Sequence, residues 1–369
     1  MNAPECLVLE LPSSKDECPI KCLHCIHKNV ETSTYETLSH EEIVTLLTSG
    51  RAMGIEYLNI YPHNDEISLE PMEALPYIKL GYVLGYKVKT VSNGANPKGI
   101  AKLLPYLHRI ALSVDSIEIQ NYMNLRLSKY HPSLLQSIET VKTYKQKHPL
   151  RATALIVANK NSIAHIHADV QQIHELDTFD RIKILEMLPI GTAKALQQES
   201  LDTQEYFVDF LEIKAQYRSR VDIGTPLWRI RKEERRGCLL GEKDLVIGPN
   251  GQLAGCSLLF YLNSLVGNVR EFGSLQKAWT EGFNAFRDKS KRPVDPLCLE
   301  CAFYQHDLCW GGCLARVMIF GAKEEMRRSC GIRSAEASQE LYLAYLKSDH
   351  KSTFFTTLPS LNKEKKRNN

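Results

Sequence analysis

The chain has no run of about eighteen uninterrupted apolar residues, so no transmembrane helix is expected. It lacks a basic segment followed by a long apolar stretch and a small-residue cleavage site, which excludes a secretory signal. Nor does one sign of charge dominate. The 46 Lys and Arg stand against 43 Asp and Glu, a net charge of +3 that favours neither nucleic acid nor a membrane as partner. The basic run Lys363, Lys365, Lys366 and Arg367 at the extreme C-terminus reads as a solvated tail. No internal repeat occurs. Together these absences predict a cytoplasmic protein whose thiols stay reduced.

What is present begins with size. At 369 residues, with 43% hydrophobic and 24% charged, the chain can build two ordinary domains without disulfide staples. Its first half alternates β-rich runs at 6–11, 55–60, 86–91, 109–114, 152–158 and 181–188 with helical patterns near 40–50, 71–84, 97–105, 132–146 and 162–176. Ser39 with Glu42 forms a capping box, Gly85 is placed to end the second helix, and Pro97 to begin the third. The run 152–158, ATALIVA, is continuously apolar, as in a strand buried on both faces. Strands separated by helices imply parallel pairing with right-handed crossovers, in an α/β fold. A barrel and a flat doubly wound sheet fit the alternation equally. The pattern divides the chain at 1–200, a helical linker 201–236, a Cys-rich module 237–334, and a helix near 335–347 leading into a disordered tail through 369.

Eleven cysteines carry the chemistry, and ten of them fall in two clusters. In a reducing compartment such clusters read as metal sites before disulfides. Cys18, Cys22 and Cys25 are spaced C-x3-C-x2-C directly after the first strand. Three thiolates on a four-iron cubane leave one iron open to an exchangeable ligand. Zinc remains an alternative, with His24 or His27 as a fourth ligand. Seven more cysteines follow at Cys238, Cys256, Cys298, Cys301, Cys309, Cys313 and Cys330, enough for two four-ligand sites with one ligand short. Two zinc ribbons that only brace the fold are the plain rival. Cys6, in the first strand, is left as a buried core thiol.

The triplet, with His24 before its last cysteine, resembles the cluster motif of the radical S-adenosylmethionine (SAM) superfamily, and the likeness runs on in order through about residue 195. It implies a partial (β/α)6 TIM-like barrel with a [4Fe–4S] cluster at its mouth, SAM on the open iron, and reductive cleavage to a 5′-deoxyadenosyl radical. Where the family has Gly-Gly-Glu-Pro, this chain has Tyr61-Pro62-His63-Asn64-Asp65-Glu66, keeping the acid as Glu66 with Asp65 as rival but losing the glycines. Ser92 and Asn93 stand at the strand-three motif, and Ser113 and Asp115 at that of strand four. Arg126 takes the place of the arginine that pairs with the SAM carboxylate, and Pro189 ends strand six beside the adenine position.

The distal cysteines resemble the SPASM module, which holds two auxiliary [4Fe–4S] clusters, although seven residues rather than five separate Cys301 from Cys309. The likeness implies Cys238, Cys256 and Cys313 on the nearer cluster and Cys298, Cys301, Cys309 and Cys330 on the outer. Asp244 or an open iron would complete the nearer set.

A full module implies hydrogen abstraction from a ribosomally made peptide, giving a cross-link, an epimerisation or an oxidation, with an electron donor such as flavodoxin or ferredoxin. The rival is oxidation or rearrangement of a small alcohol, sugar or amino acid, favoured by the lack of a leader-binding domain before Cys18. Sulfatase maturation is disfavoured because Ser257 stands directly after Cys256, where those enzymes have an Asp that acts as base. A zinc-stabilised binding protein without catalysis is the remote reading. No residue is assigned as catalytic base; Tyr61, His63 and Asn64 are candidates to position substrate.

Overall fold

The computed structural model describes residues 2–11, 18, 20–26, 36–62, 73–201, 206–224, 240–330 and 332–347. They form two compact units, one of Met1–Glu199 with Leu240–Arg287 and one of Ser200–Leu239 with Asp288–Asn369. The described strands are β1 (Cys6–Leu11), β2 (Tyr57–Pro62), β3 (Lys87–Ser92), β4 (Arg109–Ser113), β5 (Arg151–Ala158), β6 (Arg181–Glu186), β7 (Val221–Ile223), β8 (Asp244–Ile247), β9 (Gln252–Ala254) and β10 (Gly267–Asn268). Strand β7 lies in the second unit.

In the first unit β1 to β6 pair in parallel in their sequence order, with no reversal. A doubly wound sheet needs a reversal of strand order, so the open barrel is the form adopted. Helices α1 (His40–Ala52), α2 (Leu75–Val83), α3 (Pro97–Leu103), α4 (Ile119–Arg126), α5 (His131–Lys145) and α6 (Ile166–Glu175) fill the crossovers. At the free side of β1, β8 adds in parallel and β9 and β10 continue antiparallel. The segment 240–287 therefore extends the barrel's own sheet.

Local chemistry sets the element ends. Ser39 and Glu42 close the capping box of α1, and Pro97 opens α3. Strands β2 and β3 start later than their apolar runs do. The N–H of Ile55 bonds back to Gly50 O, and that of Tyr86 to Gly81 O, so these residues close helices before the strands begin. Gly54 (φ 87°) and Gly85 (φ 84°) supply the left-handed turn each closure needs.

The two faces of the sheet can be told apart. A Cβ on Gly50 would lie 3.1 Å from Leu7 Cδ2, and one on Gly81 2.4 Å from Leu58 Cδ2, so α1 and α2 press their backbones on the face carrying Leu7 and Leu58. Alternation turns Cys6, Val8 and Glu10 to the other, inner face, together with Asn59 and Tyr61 of β2. Cys6 is a buried thiol, as expected of it.

The second unit is built on short helices, among them Leu314–Phe320, Ala322–Ser329 and Ala335–Lys347. Cys301, Phe303, Ile332 and Tyr345 form its apolar core, and Ser338 Oγ accepts the N–H of Ala302 at 3.0 Å. Among the described residues no helix is long and apolar enough to cross a membrane.

Candidate active site

The cysteine triplet is held from the end of β3, the end of α4 and the segment after β6. Cys18 Sγ accepts from the Ile20 N–H and from Asn93 Nδ2, each at 3.5 Å, and Asn93 directly follows β3. Cys22 Sγ accepts from Arg126 Nη1 at 3.5 Å, at the end of α4. The backbone is tied as firmly: Leu23 N–H bonds to Leu125 O, and Thr192 N–H to Cys25 O at 3.0 Å. The Thr192 hydroxyl lies 3.0 to 3.3 Å from the carbonyls of Cys22, Leu23 and Cys25. Thr192 thus clamps the turn from beyond β6.

Behind the sulfurs lies a buried ion pair. Asp115, in the left-handed region at φ 57°, accepts Arg126 Nε on Oδ2 at 2.5 Å and the Val157 N–H on Oδ1 at 2.8 Å. Burial disfavours the Arg126 cation, but Asp115 and Cys22 outweigh it and keep the guanidinium well above its ordinary range. Burial raises Cys22, and Arg126 opposes that rise, so the cation favours the thiolate a metal needs. His24 Nε2 sits 4.0 Å from Asp115 Oδ2, and burial lowers this imidazole to about 4, leaving it neutral. Its Nδ1 is buried with no hydrogen-bond partner among the described residues. Three close thiols with N–H donors aimed at two of the sulfurs fit a cluster site.

The other expected residues are placed as follows. Ser92 Oγ accepts the Gly94 N–H at 3.1 Å and is buried. Ser113 ends β4 half-buried. Pro189 is buried in the turn closed by Ile190 N–H to Leu188 O. Glu66, Asp65, His63, Asn64, His27 and Cys238 lie outside the described residues. Asp244 opens β8 with its Cα paired to that of Cys6, and burial raises its carboxyl while Lys89 lowers it. Thr192 was not legible in the sequence, although it directly follows the Leu188 to Gly191 stretch.

In the second unit Cys298, Cys301, Cys309 and Cys330 line one cavity of about 40 Å³. Burial pushes Cys298 and Cys330 up to about 12 and raises Cys309, while backbone N–H groups of Gly311 and Gly312 bond to Cys309 and lower it. Such amide donors suit a metal-bound thiolate. The two glycines stand at φ 79° and 98°, and a Cβ on Gly311 would meet Val294 Cγ1 at 2.2 Å. Cys313 N–H reaches Glu325 Oε1, whose carboxylate also takes Arg316 Nε at 2.6 Å. Cys256 precedes the helix Ser257–Tyr261 in the first unit. No three His, Cys, Asp or Glu among the described residues converge as ligands of one metal ion. A four-iron cluster asks for something else, one thiolate per iron.

Residues 238–302 match the SPASM domain, an iron–sulfur cluster-binding domain. The fold is similar to that of Streptococcus suis SuiB bound to S-adenosylmethionine, at TM-score 0.59 and 18% identity over 85% of this chain and 74% of that one. SuiB bound to its precursor peptide SuiA gives TM-score 0.62 at 16% identity over 86% and 73%. Native anSMEcpe with bound AdoMet and Kp18Cys peptide gives 0.63 at 20% identity over 84% and 89%. The strand order is that of a partial barrel, and the matched segment 238–302 is similar to an iron–sulfur cluster-binding domain. More narrowly, the fold is similar to that of these AdoMet-bound structures, with the SPASM match on the C-terminal side, in agreement with the resemblance to the radical SAM superfamily that the sequence carries.

Proposed function

We propose that the protein is a radical SAM enzyme acting on a ribosomally made peptide. The observation that carries this reading is the triplet loop, with Asn93 donating to Cys18 and Arg126 donating to Cys22. Cys18, Cys22 and Cys25 would hold a [4Fe–4S] cluster, which would supply the electron for reductive cleavage of SAM and so for hydrogen abstraction from the substrate.

The chain's own residues do the rest. Asn93 and Arg126 orient the thiolates and offset their negative charge, and Asp115 fixes Arg126 in turn. Thr192 holds the loop closed, and Asp115 and Arg126 form its buried support. Glu66, Ser92, Asn93, Ser113, Asp115, Arg126 and Pro189 are the candidate contacts to SAM. Cys238, Cys256 and Cys313 would serve a nearer auxiliary cluster, with Asp244 or an open iron completing it. Cys298, Cys301, Cys309 and Cys330 would serve an outer one. Flavodoxin or ferredoxin would deliver the electron in the cytoplasm.

Peptide as substrate is supported by the similar structures, where SuiB binds a precursor peptide and anSMEcpe a peptide with AdoMet. Anaerobically reconstituted protein, reduced and given SAM with a short peptide encoded beside it, should release 5′-deoxyadenosine and shift the peptide's mass. Turnover of small alcohols, sugars or amino acids alone would overturn the peptide assignment. About twelve irons per chain are expected with two auxiliary clusters, and about eight with one.

A further inference from the structure

The inner face of the barrel carries a carboxyl that neither the SAM site nor the clusters use. Glu10 sits one residue before the end of β1, the strand that leads into the cysteine triplet, and it is 1% exposed. Its oxygens meet two hydroxyls: Tyr261 Oη donates to Oε2 at 2.9 Å, and Ser257 also bonds to the carboxyl. Both belong to the short helix Ser257–Tyr261, which covers this face of the sheet. Of the neighbouring groups on the inner face, Tyr61 of β2 is hydrogen-bonded by Asn59 Nδ2 at 2.7 Å. Cys6 of β1, Asp244 of β8 and Lys89 of β3 lie together further down the strands. None of the groups acting on Glu10 is a cation, so burial prevails over the two hydroxyls and raises its carboxyl to about 8.

A carboxyl buried with two hydroxyls and no cation beside it is costly to ionise, and groups so placed cluster at functional sites. Position ties it to the reacting end: Glu10 lies at the C-terminal end of β1, where a parallel barrel places its chemistry, and Ser257, half-buried, directly follows Cys256.

We propose that Glu10, reached through the hydroxyls of Tyr261 and Ser257, takes up the proton that the peptide substrate releases as it is oxidised. The inference rests on the radical SAM reading above. A hydrogen atom leaves the substrate carbon with the 5′-deoxyadenosyl radical. The N–H or O–H on the adjacent atom gives its proton through the hydroxyls, each passing one on, to Glu10. The remaining electron goes to an oxidised iron–sulfur cluster, and a carbon–heteroatom double bond is left. A group that titrates near the working pH suits this exchange, since it both accepts the proton and returns it to solvent between turnovers.

The test uses the cluster-loaded protein and two readouts. Infrared titration of wild type should show a protonated carboxyl that ionises with a midpoint near 8, and Glu10→Gln should lack that signal. Glu10→Gln keeps an oxygen for the two hydroxyls, so 5′-deoxyadenosine should still form while peptide product falls by about 100-fold. Tyr261→Phe, which removes one donor to the carboxylate, should move the midpoint upward and answers the question even if the Gln variant folds poorly. Product formation by Glu10→Gln at the wild-type rate, or an infrared signal unchanged in both variants, overturns the proposal. Absence of 5′-deoxyadenosine from wild type would instead sink the radical SAM reading and leave the titration of Glu10 to be judged by itself.

Discussion

Arg126 bridges Asp115 and Cys22: its Nε is 2.5 Å from Asp115 Oδ2 and its Nη1 is 3.5 Å from the Cys22 sulfur. One buried cation therefore serves a structural partner and a candidate cluster ligand at once. Asp115→Asn keeps the shape but leaves Arg126 buried without its counter-charge. Losing one member of such a pair costs roughly 3–5 kcal/mol. Chemical denaturation should show that loss, together with fewer irons retained after reconstitution. An unchanged midpoint with full iron content would mean that Arg126 finds its stabilisation elsewhere.

The two cysteine groups should separate in their effects. Cys18→Ala removes a thiolate that Asn93 and the Ile20 amide both hold, and should abolish 5′-deoxyadenosine formation with the loss of about four irons. Cys309→Ala should also lose about four irons but retain uncoupled SAM cleavage, because its sulfur lines a cavity wholly within the second unit. Iron counting and chromatography of the nucleoside decide both. Equal loss of cleavage in the two variants would contradict separate roles.

Much of this was legible in the chain because barrels advertise themselves by period. All six barrel strands and the helices that begin at Ser39 and Pro97 stand within about two residues of where alternation and end signals place them. Helix α4 escaped notice for physical reasons. Glu118 gives it no side-chain cap, and it exposes Ile119 and Met123 while burying Arg126, so no apolar stripe marks it. Strands β8 to β10 hold two to four residues each and lie among glycines, too short for a period to show. Glu10 was hidden by its setting, since one acid in CLVLEL does not disturb the reading of a buried strand. Thr192 acts through carbonyls of the triplet loop, a contact that no spacing encodes.

Gly311 should tolerate no side chain. Its φ of 79° disfavours any residue with a Cβ, and that Cβ would fall 2.2 Å from Val294 Cγ1. Gly311→Ala should therefore shift the backbone amide that bonds to Cys309, lowering iron content along with thermal stability. Adding Val294→Ala relieves the clash but not the backbone strain, so it should restore only part of the loss. Full restoration in the double variant would assign the whole effect to the clash.

Asp169 offers a test of burial by pH. It is 3% exposed on α6, and its Oδ1 accepts the Ser116 hydroxyl at 2.6 Å. Burial raises its carboxyl from 3.8 to about 6, with the Ser116 bond opposing. The folded protein therefore holds this proton more tightly than the unfolded chain does. Its favourable contribution is complete below pH 3.8 and is lost as the pH rises through about 6. At about 1.4 kcal/mol per pKa unit, the cost above that window is roughly 3 kcal/mol. Asp169→Asn can still bond Ser116 and carries no proton to lose, so its stability relative to wild type should climb between pH 4 and 6 and stay level above. Parallel denaturation series across that range would measure the difference with other titrating groups cancelled. A gap independent of pH would mean that Asp169 stays ionised in the folded protein, with Ser116 and neighbouring polar groups solvating its charge.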